Sequence, residues 1–294
     1  MTPLLGQAGS RLLDRWVALL AVPGTLFVAV AALGSVLGQH HPFDLGSLAG
    51  WAQDRSRTEL WSTGTRAAVS LAVLALAATA AGFAAQIVGA GQLLWWLGSW
   101  PRLLLPWTAR RVDRRRREWS LLQDAFEKLV TSGHGPPGEL SELGTRRNAL
   151  ALAEPTRPTW IGDRIAATET RVRNAYGLDL PAVWSRLWLI LPDQPREEIR
   201  TARTRIDGAA VLSAWGLLYL IVGVLWWPAA LVGVVTWIAG WRTARQSVDQ
   251  YAELVEAAVD LHGAALATAL GVPLTGGLTT EAGRAITRRV RKGT

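Results

Sequence analysis

Few side chains in this sequence are equipped for chemistry, and their spacing argues against most of it. His40 and His41 stand beside Asp44, three residues of metal-ligand type on one loop. Adjacent histidines point in different directions on regular structure, so the pair reads as polar surface. His134 lies in the Pro- and Gly-rich loop HGPPGE without a companion, and His262 falls on an apolar stripe where a histidine packs or caps. The chain has no cysteine, which excludes disulfides, thiolate nucleophiles and cysteine-ligated metals. GAGQ (89–92) is rich in glycine but follows an apolar helical run, whereas a phosphate loop follows a strand. Walker, dinucleotide, HExxH and nucleophile-elbow patterns are all missing. Asp44, Asp179 and Asp193 are the only acids placed for an enzyme working at a membrane interface. The expectation is no catalytic residue, no metal ligand and no cofactor.

The other chemically loaded stretch is RRVDRRRREW (110–119), with Arg110, Arg111, Arg114, Arg115, Arg116 and Arg117 in ten positions. Such a cluster can clasp nucleic acid, hold anionic headgroups, or stop a membrane segment from sliding. A net charge of +8, with 29 arginines and only Lys128 and Lys292 as lysines, fits either a nucleic-acid binder or a membrane protein with basic internal parts. What separates them is where charge is missing.

No residue is charged from Trp16 to Gln39, from Ala67 to Trp100, or from Gly208 to Trp241. About 20 apolar residues cross a hydrocarbon layer of roughly 30 Å. The first run is one crossing; it is too long for a signal peptide and lacks a good cleavage site. The second is a crossing over about 67–90 followed by LLWWLGSW at the interface, with Trp95, Trp96, Trp100 and Trp107 forming an aromatic belt. In the third, WWP at 226–228 divides two short limbs, which read as two crossings, with a re-entrant hairpin as the alternative. The spans hold no Asp, Glu, Lys, Arg or His, which disfavours ion-coupled carriers. They offer small residues instead: Gly34 and Gly38, then Ala78, Gly82, Ala85 and Gly89, a surface for helix packing or oligomer contact, with Gln86 able to bridge helices or line a pore.

Arginine counts near the span ends set the orientation. Arg11 and Arg15 precede the first span; Arg102 and the arginine cluster follow the second; Arg203, Arg205, Arg242 and Arg245 flank the last two. Both termini therefore belong in the cytoplasm, and the cluster is first a topology signal at anionic headgroups. Nucleic acid is not the expected partner.

The predicted architecture is all-α: a polytopic membrane protein with four transmembrane helices in two hairpins and a helical cytoplasmic domain. Its parts are an N-terminal hairpin over 1–100 with an outer loop at 39–66, a cytoplasmic helical domain over 101–207, a second hairpin at 208–241, a helix continuing the last span through 242–271, and a flexible basic tail at 272–294. Within the domain, 119–133 places Leu122, Ala125, Phe126, Leu129 and Val130 on one face and ends at Gly133. A less regular helix covers 138–152. Thr159 caps a helix that Gly177 ends. LDLPAVWSRLWLILPD then crowds Trp184, Leu187 and Trp188 into a segment too short to span, as core or partner contact.

YGLDLPAVWSRLWLILPD and YAELVEAAVDLHGAALATALG resemble stretches of multi-pass membrane proteins of actinobacteria, over roughly residues 158–271. That resemblance implies a bacterial inner-membrane location and carries no assigned activity or site. The expected role is a non-enzymatic anchor or assembly platform for cytoplasmic partners; the alternative is a homo-oligomeric channel or pore-forming effector, through self-association.

Overall fold

The structure, a computed structural model, describes residues 21–57, 64–133, 136, 138–274 and 276–292. The opening of the first expected span (16–20), Arg11 and Arg15 before it, and His134 lie outside the described residues. Among the described residues every regular element is helical. The order is α1 (Val22–Leu37), α2 (Leu45–Arg57), α3 (Gly64–Trp96), a 3-10 turn (Arg102–Leu104), α4 (Leu105–Ser132), α5 (Glu139–Leu150), α6 (Trp160–Tyr176), α7 (Leu180–Ile190), α8 (Asp193–Val222), α9 (Trp227–Ala269) and α10 (Thr280–Val290).

Local chemistry explains most of the boundaries. Thr159 accepts a hydrogen bond from Gly162 N at 3.0 Å and so caps α6, satisfying one of the first-turn donors that an α-helix leaves open. Gly177 ends α6 at φ +65°, a left-handed conformation that costs glycine nothing. Proline stands in the first turn of α1, α4 and α7, where a missing N–H costs nothing.

The chain divides into two compact units, one from residues up to 92 and 207–242, the other from 93–206 and 243 onward. The three points of division fall inside α3, α8 and α9. Two helical stretches are long and apolar enough to cross a membrane, Ala67–Trp96 and Asp193–Val222. Half of the most apolar part of α8 is buried in the protein, against 11% for α3. Helix α3 therefore presents Val69, Leu71, Leu76, Phe83 and Ile87 outward, a face that suits hydrocarbon and not water.

In the first unit, α8 and α9 form an antiparallel hairpin closed by four glycines. Gly216 and Gly223 are seven residues apart, as are Gly233 and Gly240. A Cβ on Gly216 would sit 2.5 Å from Trp237 N, one on Gly223 2.5 Å from Ala230 Cβ, one on Gly233 2.8 Å from Gly216 O, and one on Gly240 2.6 Å from Ser213 N. The backbones approach so closely that no side chain fits between them.

The second unit has an ordinary apolar core. Val183, Leu187, Leu191, Val259, Leu266 and Ile286 are essentially inaccessible to solvent. Ile286 belongs to the C-terminal stretch expected to be a flexible tail. Instead Thr279 caps α10, accepting from Ala282 N at 3.2 Å, and the helix packs on α6 and α7. The apolar residues of the tail are too few for a sequence signal, yet Ile286 meets a core that no local pattern reveals.

Two further expectations are corrected. Helix α3 does not stop near residue 90 but runs on to Trp96, whose side chain is buried while its carbonyl accepts from Thr159 Oγ1. The segment read as starting at residue 119 is one helix from Leu105, and it contains the whole arginine cluster.

Candidate functional site

A helix places positions i, i+4 and i+8 close to one face, and on α4 that face carries Arg111, Arg115 and Trp119. Arg111 Nε donates to Pro158 O at 2.8 Å. Arg115 Nη2 donates to Leu150 O and to Asp163 Oδ2, both at 2.8 Å. Trp119 Nε1 donates to Ala151 O at 2.9 Å. The other oxygen of Asp163 accepts from the backbone N–H groups of Thr156 and Arg157, each at 2.7 Å. Asp163 is 4% exposed and Arg115 14%, so this is a buried pair with its hydrogen-bonding capacity used. The irregular segment 151–159 is thereby held by side chains on both sides.

The remaining cluster residues behave differently. Arg116 pairs with Glu154 at 2.6 Å and Arg114 with Glu118 at 2.9 Å, both in solvent. Arg110 and Arg117 are exposed. A second buried cation was not singled out from sequence. The Arg164 side chain, 2% exposed, donates to Asp249 Oδ1 at 2.5 Å, Thr168 Oγ1 at 3.0 Å and Glu256 Oε1 at 3.3 Å. Arg171 reaches the other oxygen of Glu256 at 3.3 Å. Arg245 lies over the Trp160 ring at 4.2 Å, and burial pushes its pKa down. These contacts tie α6 to the lower half of α9.

Two adjoining pockets form a groove beside that frame. The more enclosed, inner one, about 220 Å³, is lined by Ile165, Leu180, Pro181 and Val255 together with the polar Thr168 and Glu169. The more open one, about 740 Å³, is bounded by Trp188, Leu189, Arg200 and Arg203. Trp184 and Tyr251 belong to both. The indoles of Trp184 and Trp188 are 5.8 Å apart and tilted, and the Arg200 guanidinium sits 5.5 Å above Trp188. Burial raises the pKa of Tyr251, opposed by the positive charge of Arg203. Of the three residues expected as core or partner contacts, Leu187 is core at 1% exposure, while Trp184 and Trp188 are half-buried and line this groove.

The α4–α5 hairpin supplies another surface. Leu122, Ala125, Phe126 and Leu129 are half-buried against α5, and the Arg147 guanidinium covers the Phe126 ring at 4.7 Å. No residue of either helix is fully buried, and Leu121, Val130 and Leu140 are exposed at 70%, 55% and 42%.

All but one of the small residues singled out in the apolar unit pack inside one chain. Ala78, Gly82, Ala85 and Gly89 are all buried, Ala78 carrying the carbonyl against which Gly24 packs and Gly89 meeting Val211. Gly34 packs on Trp226, with room for no Cβ at 2.9 Å. Gly38 is not a packing residue; it terminates α1 at φ +64° with open space around it. Gln86 is half-buried. A polar link joins the turns after α1 and α8: Gln39 Nε2 donates to the carbonyls of Gly223 and Val224 at 2.9 and 2.7 Å.

The three acids considered for interfacial chemistry sit at three helix starts. Asp44 accepts from Ser47 Oγ at 2.6 Å and from Gly46 N at 2.9 Å, which lowers its pKa. Asp179 pairs with Arg291, and Asp193 with Arg196 at 3.2 Å. His262 is half-buried on α9. Among the described residues no three histidine, aspartate or glutamate side chains converge on a metal-sized site. No protein-family model matches the chain, and neither a curated protein nor a solved structure matches it.

Proposed function

We propose that this chain is a non-enzymatic multi-pass protein of a bacterial cytoplasmic membrane that anchors a helical unit for water-soluble protein partners. The four crossings are α1, α3, the 208–222 part of α8 and the first part of α9. Both termini and the second unit face the cytoplasm, on the arginine counts given above. The observation that carries the platform role is the α4–α5 hairpin, whose base is braced by Arg111, Arg115 and Trp119 while its apolar side chains are left without a full cover. A rigid base with an under-covered tip is what a helix-docking surface needs. We weight the pore alternative lower, since most of the small-residue face it would use packs within one chain.

The chain is free of cysteine, so single cysteines report cleanly. With Gly50→Cys and Val130→Cys in intact cells, an impermeant maleimide should label position 50 from outside and position 130 only after permeabilisation. Labelling of both from the same side would sink the four-crossing arrangement. Photocrosslinking from positions 121, 130 and 140 should yield a discrete protein adduct, and its absence at all three would sink the platform role.

A further inference from the structure

We propose that the groove between α6, α7, α8 and α9 binds one anionic amphiphile, an alkyl chain carrying a carboxylate or phosphate head. Its chain would lie along Trp188 and Trp184 into the inner cavity, and its head would meet Arg200 and Arg203. The inner pocket takes most of its lining from apolar side chains, among them Ile165, Leu180, Pro181 and Val255. At about 220 Å³ it exceeds the roughly 150 Å³ in which a benzene is held and admits one alkyl segment or a single side chain, not a helix, whose diameter is about 10–12 Å.

Charge gives the groove a direction. The cations lining it, Arg200 and Arg203, belong to the wide end, whereas Glu169 at the inner end repels an anion there. Arg200 is 60% exposed and its ion pair with Glu197 is long, 3.8 Å, and solvated on both sides, so exchanging that acid for a ligand head costs little. A planar guanidinium stacked on an indole is suited to carboxylate or phosphate oxygens. The source of the ligand, the bilayer, rests on the membrane reading proposed above; the fit of the groove does not.

The test is native mass spectrometry of the full chain in neutral detergent, titrated with dodecanoate, dodecyl phosphate, dodecyltrimethylammonium, inorganic phosphate and an acidic amphipathic peptide. One dodecanoate or dodecyl phosphate should bind per chain, at least tenfold more tightly than the cationic amphiphile or free phosphate. Arg200→Glu with Arg203→Glu should weaken it tenfold or more, as should Ala252→Phe, which fills the inner cavity. Because the latter can disturb packing, the surface charge reversal decides if Ala252→Phe melts early. Equal binding of both amphiphile charges, insensitivity to the charge reversal, or preference for the peptide overturns the proposal. Binding by a chain that stays soluble without detergent would keep the groove and remove its membrane source.

Discussion

Asp163 shows how much one carboxylate can organise. Its two oxygens take the Arg115 guanidinium and the N–H groups of Thr156 and Arg157, so a single neutralised or shortened partner leaves buried groups unpaired. Removing one member of a buried ion pair costs about 3–5 kcal/mol. Arg115→Ala or Asp163→Asn should therefore lower the stability of the detergent-solubilised protein by that order in chemical unfolding. Arg110→Ala, in the same cluster, should leave unfolding unchanged; equal effects would mean the cluster is only surface charge. Tyr176 donates to Asp260 at 2.8 Å and this bond raises its pKa, as burial does for Tyr251. A raised folded pKa contributes stability below the ordinary tyrosine range, and the contribution fades as pH climbs through the folded value. Absorbance titration should find both phenols ionising later than free tyrosine, and Tyr176 should move back toward the free value in Asp260→Asn.

The arginine cluster was legible as a run of charge, but its partners were not, because Pro158, Leu150 and Asp163 lie 35 to 48 residues away in the chain. Arg164 was passed over for the same reason: a cation whose carboxylates are 85 and 92 residues distant leaves no local mark. The glycine pairs of α8 and α9 were legible in principle. Gly216, Gly223, Gly233 and Gly240 repeat at seven, the period that keeps one seam of a helix facing a neighbour.

At the scale of elements, the α8–α9 hairpin depends on that seam. Gly216→Val or Gly240→Val should destabilise it by about 1–3 kcal/mol or more through overpacking, seen as earlier loss of helix signal during detergent unfolding. Gly208→Ala, with open space around it, should be neutral or slightly stabilising. Helix α10 makes a parallel claim for the second unit. Ile286→Ala should cost about 2–5 kcal/mol and expose the C-terminal stretch to protease; an unaffected digest would return residues 280–290 to the status of a loose tail.

For the molecule as a whole, the outcome turns on where the small residues are spent. Their burial within one chain predicts a detergent particle whose protein mass is near the 31.8 kDa of one copy, or a small multiple joined through the α4–α5 hairpin. A closed ring of four or more copies, measured by light scattering with the detergent subtracted, would restore the pore reading.

Composition and periodicity by themselves determined that the chain is helical, that long stretches exclude charge, and where several helices begin and end. These are local properties, set by side-chain solubility, capping hydroxyls and glycine's tolerance of positive φ. Only the tertiary structure decided which arginines are buried and paired, that α3 runs on to Trp96, that the C-terminal stretch folds onto the core, and that Trp184 and Trp188 line a groove. Each of those depends on groups far apart in the chain meeting at a few ångströms, and no window of neighbouring residues contains that information.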